Sequence, residues 1–165
     1  MSGDAVTNPT KELVREATAA DVSEIVSLIN RAFAVERFFK NADRTDADTV
    51  QQYMTEGTFL LLYEGGEMVA CVYLKVTEDR AYLGMLSVDP GRQKSGLGTR
   101  MMREGEAYAR AAGCKALDIW IVNLRTELPP IYRKFGFEET GTKSAEWTEK
   151  FTQPVHFITM SKQLA

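Results

Sequence analysis

A strand, a glycine-containing loop and a long helix are predicted to follow one another between Tyr82 and Gly113. Residues 82–88 are rich in β-forming side chains, residues 89–95 are polar, and residues 96–112 have the spacing of a helix that ends at Gly113. The start of a helix presents unpaired backbone N–H groups and the positive end of the helix dipole, and glycines let a phosphate approach the backbone closely. This order of elements therefore predicts an anion-binding cradle between a strand and its following helix.

The glycines of this loop do not match two common nucleotide-binding motifs. A Walker A loop would need lysine at the position of Leu97, and the dinucleotide fingerprint would need a third glycine at the position of Met101. The chain therefore lacks the motifs of a P-loop or Rossmann nucleotide-binding protein. The other interpretation of the loop is a plain glycine-rich turn.

The length of 165 residues corresponds to about one compact domain. We expect a polar, flexible tail over residues 1–12, without the apolar stretch of a signal peptide, and a single domain over residues 13–165. The net charge of -3 argues against nucleic-acid binding, and no apolar run approaches the length that spans a membrane. We therefore expect a soluble, cytoplasmic protein with neither nucleic acid nor membrane as a partner.

The cysteines and the one histidine do not form a metal site in the sequence pattern. Cys71 and Cys114 lie in apolar stretches without Cys-x-x-Cys spacing, and His156 cannot complete a zinc ligand set with them. We expect both thiols to be reduced core residues and no metal to be bound. His156 alternates with apolar residues on a terminal strand, so we expect a packed or edge residue rather than a catalytic one.

Strand and helix signals alternate through the rest of the chain. Thr18 and Asp21 are spaced as a capping box that opens a helix, and Gly65 and Gly66 fit a tight hairpin turn. The apolar face of the first helix is predicted to contain Val22, Ile25, Val26, Ile29 and Phe33. Strands are predicted over residues 13–17, 59–63, 68–76, 82–88, 116–122, 137–141 and 155–161, with further helices over 45–56, 96–112 and 128–135. Early hairpins and late crossovers indicate a mixed sheet flanked by helices.

A second cluster of residues lies downstream of the cradle and contains Asn123, Tyr132, Gly136 and Phe137. Tyr132 alone, on a short helix, would be read as a packing residue with its hydroxyl at the surface. Combined with Gln93-x-x-Gly96-x-Gly98 and the strand before it, the cluster resembles the GNAT superfamily of acetyl-CoA-dependent N-acetyltransferases. The resemblance extends from residue 13 to the C-terminus and is most specific over residues 83–141.

The resemblance implies an α/β (α+β) fold, in which a mixed, largely antiparallel central sheet is flanked by helices and its fourth and fifth strands splay apart. It also implies that acetyl-CoA is the co-substrate, with its pyrophosphate on the loop amides and its pantetheine arm along the strand that ends at Val88. The implied binding residues are Leu86, Ser87, Val88, Gln93, Lys94, Ser95, Gly96, Leu97, Gly98, Thr99, Asn123 and Tyr132. Arg92 and Lys94 are further candidates for the phosphates, and a strand-end cap is the alternative role for Asn123.

Tyr132 matches the family position of a general acid that protonates the departing thiolate. A tyrosine with a reference pKa of about 10 is a competent donor to a thiol with a pKa of about 8.5. The proton acceptor is less clear, because residues 81–83 contain no carboxylate at the start of the fourth strand, where some family members have glutamate. Water is one candidate acceptor; Glu36 is the first side-chain candidate and Glu64 the second. A solvated surface charge is the alternative interpretation of Glu36.

The function expected from these features is transfer of the acetyl group of acetyl-CoA to a primary amine, by direct attack in a ternary complex. Arg37, Lys40 and Arg44 are candidates to bind a carboxylate of the acceptor, which would then be an amino acid or small metabolite. Glu36, Asp43 and Asp46 would instead attract a polyamine or a lysine side chain, so the sequence leaves the acceptor open.

Two further expectations concern the role and the assembly of the chain. A non-catalytic acyl-CoA-binding regulatory module of the same fold is the alternative function, and the C-terminal strands are a candidate homodimer interface. Four aromatic residues are expected to shape an apolar pocket over the acceptor site or to have a core or dimer role: Phe38, Phe39, Trp147 and Phe151.

Overall fold

The computed structural model describes residues 12–40, 42–93, 95–145 and 150–164. The predicted tail, apart from its last residue, lies outside the described residues, as do two predicted positions, Lys94 and Trp147.

The helices and strands follow one another along the chain in the predicted order. The strands are β1 (Glu12–Glu16), β2 (Thr58–Glu64), β3 (Glu67–Thr77), β4 (Arg80–Val88), β5 (Ala116–Val122), β6 (Glu138–Ser144) and β7 (His156–Gln163). The helices are α1 (Val22–Ala32), α2 (Ala47–Glu56), α3 (Leu97–Ala111) and α4 (Leu128–Lys134).

These strands form one seven-stranded sheet in the order β1-β2-β3-β4-β5-β7-β6. All neighbouring pairs are antiparallel except β4 and β5, which are parallel. The parallel ladder is short, extending from Arg80 opposite Ala116 to Tyr82 opposite Asp118. The predicted mixed, largely antiparallel sheet with splayed fourth and fifth strands is confirmed.

Helices cover both faces of the sheet because residues of the central strands alternate between two apolar clusters. Leu60 and Leu62 of β2 belong to the cluster that also contains Met101 and Met102 of α3. Phe59 and Leu61 belong to the cluster under α1, together with Ile25. This alternation is the side-chain period of a strand that is buried on both faces.

Local sequence signals determine most of the element ends. The Asp21 carboxylate accepts the backbone N–H of Thr18 at 2.8 Å, so the predicted capping box forms and leads through a 3₁₀ turn into α1. Asp46 caps α2 by accepting the N–H of Thr49 at 2.8 Å. Gly65 and Gly66 both have positive φ in the β2–β3 turn, as the predicted hairpin requires.

Two predicted details need correction. The buried face of α1 includes Leu28, which the prediction omitted, whereas Val26 and Phe33 are only partly buried. The last-but-one strand extends to Ser144, beyond the predicted residue 141, although its whole length is exposed. The strand forms by pairing with β7, from Glu138 opposite Ser161 to Ser144 opposite His156. It has no buried apolar face, so the sequence pattern did not show its full length.

Candidate active site

The separation of β4 from β5 begins at an irregularity within β4. Tyr73 of β3 lies opposite Gly84 and Cys71 lies opposite Ser87, so β4 contains one more residue than β3 between these pairs. Within this bulge Met85 has a φ of 52°, which is the left-handed region and strained for a residue other than glycine. A bulge bends its strand and increases the local twist, and bulges occur often beside active sites. Beyond Tyr82, β4 therefore runs without a ladder to β5.

Ser87 holds the bulge from within the strand. Its hydroxyl donates to the Met85 carbonyl oxygen at 2.9 Å, and the side chain is buried. Cys71 lies beside the same carbonyl oxygen, with its Sγ at 3.8 Å, and burial raises the pKa of its thiol to about 12. Both cysteines are free and buried, as the sequence predicts, so they are packing residues of the sheet.

A cavity of about 600 Å³ occupies the gap between the two strands. Its walls come from β4, β5, α4, the start of α3, the segment between α1 and α2, and residues next to β7. The lining includes Glu36, Lys40, Asp43, Arg44, Tyr53, Tyr82, Leu86, Val88, Arg92, Gln93, Leu97, Gly98, Trp120, Arg125, Glu127, Ile131, Tyr132, Lys150, Phe151 and Phe157. The cavity thus joins the predicted phosphate cradle to the segment around residues 36–44.

The start of α3 offers backbone donors to this cavity. Gly96 precedes the helix with a φ of +84°, and its carbonyl oxygen accepts the N–H of Arg100 at 3.0 Å as the first helical bond. The amides of Leu97, Gly98 and Thr99 precede that bond and have no partner within the helix. A Cβ added at Gly96 would meet nothing within 4 Å, so its positive φ, rather than close packing, favours glycine here.

The loop before α3 is fixed by side chains of its own and of the β2–β3 turn. The Asp89 carboxylate accepts the N–H of Gly91 at 2.8 Å, and the Ser95 hydroxyl donates to the Arg92 carbonyl oxygen. Arg92 forms ion pairs with Glu64 at 3.1 Å and Glu67 at 2.7 Å. Its guanidinium therefore fastens the loop to the hairpin, a role that the sequence-based interpretation of Arg92 as a phosphate ligand did not include.

Tyr132 reaches the cavity from α4, where its ring packs edge-on against Phe137 with centroids 5.8 Å apart. Burial raises the pKa of Tyr132 to about 12, against a smaller opposing effect of Arg125. No hydrogen bond of its hydroxyl occurs within the part of the chain that the structure describes. The hydroxyl is thus protonated at neutral pH, and it can donate to a group in the cavity.

Glu36 lines the same cavity, is buried and lies between two cations. Its carboxylate oxygens are 2.7 Å from the Lys40 ammonium and 2.9 Å from the Arg125 guanidinium. Arg125 also contacts Glu127 at 2.8 Å. A surface-charge role for Glu36 is therefore wrong, since only 5% of its side chain is exposed.

Aromatic side chains form much of the remaining wall. Trp120 of β5 lies between Tyr82 and Phe157, with ring centroids 5.0 and 6.1 Å away. Phe39 is buried and stacks on Phe151 at 6.2 Å. Alternation along β5 could have identified Trp120, because the side chains of Ala116 to Val122 point alternately to the two faces of the sheet.

The fold agrees with the comparisons to known proteins. The model of the acetyltransferase (GNAT) family matches residues 23–137. The chain is a member of this family. The amino-acid acetyltransferase of Azotobacter vinelandii is 29% identical over 143 residues, which are 86% of this chain and 31% of that protein. The chain therefore spans about a third of the length of that relative, and 42% of a mycothiol acetyltransferase of Clavibacter sepedonicus, which is 27% identical over 127 residues.

Solved structures of GNAT proteins share the whole fold. The Escherichia coli ribosomal-protein-S18-alanine N-acetyltransferase superimposes with a TM-score of 0.77 at 18% identity, covering 94% of this chain and 95% of that one. A GNAT family acetyltransferase from Elizabethkingia anophelis with acetyl-CoA bound gives a TM-score of 0.71 at 17% identity, covering 93% of this chain and 98% of that one. The predicted family and fold are confirmed.

The GNAT site residues predicted from the sequence fall into two groups. Those that line the cavity are Glu36, Leu86, Val88, Gln93, Leu97, Gly98 and Tyr132. Those that are described but lie outside its lining are Ser87, Ser95, Gly96, Thr99 and Asn123. Ser87 and Gly96 shape the backbone next to the cavity, whereas the position of Lys94 lies outside the described residues.

Asn123 ties the end of β5 to β7. Its side-chain oxygen accepts the backbone N–H of His156 at 2.9 Å, and its own N–H donates to the His156 carbonyl oxygen at 2.9 Å. These bonds correspond to the strand-end role that the sequence left open beside a cofactor contact. His156 itself is exposed at the first residue of β7.

Neither a metal cluster nor a membrane-spanning helix is found in the described ranges. No three histidine, cysteine or carboxylate side chains there are grouped so as to hold a metal ion. No helix in the same ranges has both the length and the apolar character to cross a bilayer.

Proposed function

We propose that this GNAT protein transfers an acetyl group from acetyl-CoA to a primary amine, which attacks the thioester directly while both substrates are bound. One observation carries the proposal: the same cavity is lined by Leu97 and Gly98 at the start of α3, by the partly buried Tyr132 and by charged and aromatic residues of the segment 36–44. The acetyl-CoA named with the Elizabethkingia anophelis structure supports this choice of donor.

The residues of the cavity fit the two halves of acetyl-CoA. The N–H groups of Leu97, Gly98 and Thr99, which have no partner within α3, would bind the pyrophosphate together with the positive end of the α3 dipole. The gap between β4 and β5 would take the pantetheine arm, because β4 has backbone groups beyond Tyr82 that lack a partner on β5. Its apolar walls, such as Leu86 and Val88, would exclude water from the thioester.

The reaction places negative charge on the carbonyl oxygen, adds a proton to the departing sulfur and removes a proton from the amine. The chain offers groups for the first two of these steps. Attack by the amine forms an N–C bond and places negative charge on the carbonyl oxygen, which N–H donors on bulged β4 would stabilise. The C–S bond then breaks, and Tyr132 donates its proton to the departing sulfur. The amine loses its proton to solvent, from which Tyr132 is reprotonated.

We assign the removal of the amine proton to water rather than to a side chain. Glu36, the first candidate acceptor, already contacts Lys40 and Arg125 with its two oxygens. Glu64, the second candidate, is bound to Arg92 and is not part of the cavity lining. Glu36 then acts as a positioning residue that holds both cations at the acceptor end of the cavity.

A non-catalytic acyl-CoA-binding module is the second candidate function. The observation that favours it is the pairing of every cavity-lining carboxylate within the described residues: Glu36 with Lys40, Asp43 with Arg37, and Glu127 with Arg125. Release of CoA thiol from acetyl-CoA in the presence of amines separates the two functions, because a binding module gives none.

The first experiment measures the thermal stability of the protein with and without acetyl-CoA. A ligand at 100 times its Kd adds about 2.7 kcal/mol to the free energy of unfolding, which is readily measured. Gly96→Glu places a carboxylate at the cradle and should abolish this gain. Gly113→Glu is the matched control, because Gly113 has the same φ of +84° and equally open surroundings at the other end of α3.

Each result has a defined meaning. Stabilisation of the wild type and of Gly113→Glu, but not of Gly96→Glu, supports the cradle. Equal stabilisation of all three proteins places the ligand elsewhere, and no stabilisation of the wild type overturns the use of acetyl-CoA.

A further inference from the structure

The structure distinguishes between the acidic and basic residues that the sequence offered for the acceptor. Glu36 is neutralised by Lys40 and Arg125, and Asp43 is ion-paired with Arg37. Asp46 is exposed and uses its carboxylate to cap α2. Of the three carboxylates that would attract a polyamine or a lysine side chain, Glu36 and Asp43 already have cationic partners, and Asp46 is not part of the cavity lining.

Among the described arginines that line the cavity, Arg92 and Arg125 form ion pairs with carboxylates, whereas Arg44 does not. It is partly buried, and its guanidinium lies over the Phe33 ring with the central carbon 5.2 Å from the centroid. No carboxylate pairs with Arg44 among the residues that the structure describes. Stacking on an aromatic ring holds the planar group in place while leaving its N–H donors free for a ligand.

Two lysines that line the same cavity as Arg44 add positive charge there, and one of them, Lys40, is ion-paired with Glu36. Lys40 lines the same part of the cavity, and its pKa lies below the usual lysine value, first because of burial and second because Arg44 repels its ammonium. Lys150 acts on Lys40 in the same direction. A second cationic group on the acceptor would add to this repulsion, whereas an anionic group would relieve it.

We propose that the acceptor is a small amine with a carboxylate group, which Arg44 binds, and with an apolar or aromatic body. This rests on the proposed transfer of acetyl to an amine at the same site. Arginine matches a carboxylate with two parallel N–H donors, which fixes the orientation of the acceptor as well as its affinity. Phe33, Tyr53, Tyr82 and Trp120 supply the apolar wall against which such a body would pack.

The test compares acceptors that differ only in the carboxylate. L-Phenylalanine and L-leucine are paired with L-phenylalaninamide and L-leucinamide, spermidine represents polyamines, and release of CoA thiol is followed at pH 8 with the full chain. The amides are less basic and have more free amine at this pH, so the intrinsic bias opposes the expected result. We expect kcat/KM to be about 10- to 100-fold higher for the free acids, as an ionic hydrogen-bonded contact predicts.

Arg44→Gln should remove this preference, because KM rises much more for the acids than for the amides, and Arg44→Lys should retain part of the preference. Arg133→Gln is the matched control, because Arg133 is an exposed arginine and both it and its ion-pair partner, Glu139, lie outside the cavity lining. Arg44→Gln should still unfold cooperatively and should gain as much stability from acetyl-CoA as the wild type, which excludes misfolding as the cause.

Three outcomes overturn parts of the proposal and can be told apart. Turnover of amides or spermidine at least as fast as that of the acids overturns the carboxylate assignment while acetyl transfer to amines stands. An equal loss for acids and amides in Arg44→Gln likewise overturns recognition by Arg44. If no acceptor releases thiol although acetyl-CoA still stabilises the protein, the proposed transfer is overturned and this inference with it.

Discussion

At the α3 end the cavity wall offers mainly backbone groups, whereas at the end formed by residues 36–44 it offers charged and aromatic side chains. The first end depends on the left-handed Gly96, the free amides of Leu97 and Gly98, and the bulge at Met85. The second depends on ion pairs and on stacking, as for Glu36 and Arg44. Backbone amides are present whatever the side chains, but their direction is set by the turn that holds them.

The difference implies that the two ends respond to mutation in different ways. At the α3 end, only substitutions that change φ, block the amides or release the bulge should matter. At the other end, single charge changes should alter stability or acceptor choice, because buried charges depend strongly on their partners. Tyr132 lines the same cavity as both ends, so its substitution tests whether they work on one reaction.

The largest effect is expected for Tyr132→Phe, which removes the proposed proton donor and keeps the ring against Phe137. Loss of a general acid lowers kcat by about 100- to 10,000-fold, and steady-state kinetics with acetyl-CoA measures it. Tyr108→Phe is the control, since the Tyr108 hydroxyl contacts Thr58 at 3.1 Å, away from the cavity. An unchanged kcat in Tyr132→Phe, with acetyl-CoA still bound, would remove the tyrosine from the mechanism.

Glu36→Gln tests the side-chain end and should have the next largest effect. The substitution leaves Lys40 and Arg125 without their shared carboxylate in a site where their side chains are 11% and 15% exposed. Breaking such a pair from one side costs about 3 kcal/mol of unfolding free energy, measured by chemical denaturation. Glu127→Gln is the matched control, with 54% of its side chain exposed and an expected loss of less than about 1 kcal/mol.

The same variant also separates positioning from proton transfer. If Glu36 only holds the two cations, the pH dependence of kcat keeps its shape in Glu36→Gln. Loss of the acidic limb of that profile, together with a drop in kcat of about 100-fold or more, would instead make Glu36 the proton acceptor.

Ser87→Ala tests the backbone end and should have a smaller effect. The buried carbonyl oxygen of Met85 loses its hydroxyl donor, which costs about 2 kcal/mol of unfolding free energy. Ser95→Ala removes a similar bond to the Arg92 carbonyl oxygen at an exposed position, where water replaces the hydroxyl and the loss should be less than about 0.5 kcal/mol. Equal losses in the two variants would show that the bulge does not depend on Ser87.

Sequence patterns predicted the backbone end well because its signals are local. The end of β4 at Val88, the loop and Gly96 before α3 lie in one short stretch of sequence, so their signals can be read together. The bulge at Met85 was not predicted, because a buried methionine with positive φ has no local signal and depends on the register between β3 and β4.

The side-chain end was predicted only as a set of candidates. Glu36 and Arg125 are 89 positions apart in the chain, and their contact depends on the crossover that brings the end of β5 beside the α1–α2 segment. Among the acidic and basic residues 36–46, sequence alone does not tell which are paired with each other. The structure shows which of these residues are paired. Asp43 pairs with Arg37 and not with its neighbour Arg44, so Arg44 is the arginine that we propose for the acceptor carboxylate.

The smallest expected effect is that the Tyr132 hydroxyl does not ionise at a pH at which a solvent-exposed tyrosine would. A solvent-exposed tyrosine with a pKa of about 10 is half ionised at pH 10. Burial raises the pKa of Tyr132 to about 12, so its hydroxyl should keep its proton through that pH and remain a donor. The ultraviolet difference between wild type and Tyr132→Phe should therefore contain no tyrosinate at pH 10. A half-ionised signal at that pH would mean that water reaches the hydroxyl, and that the two ends of the cavity meet in solvent rather than in a desolvated channel.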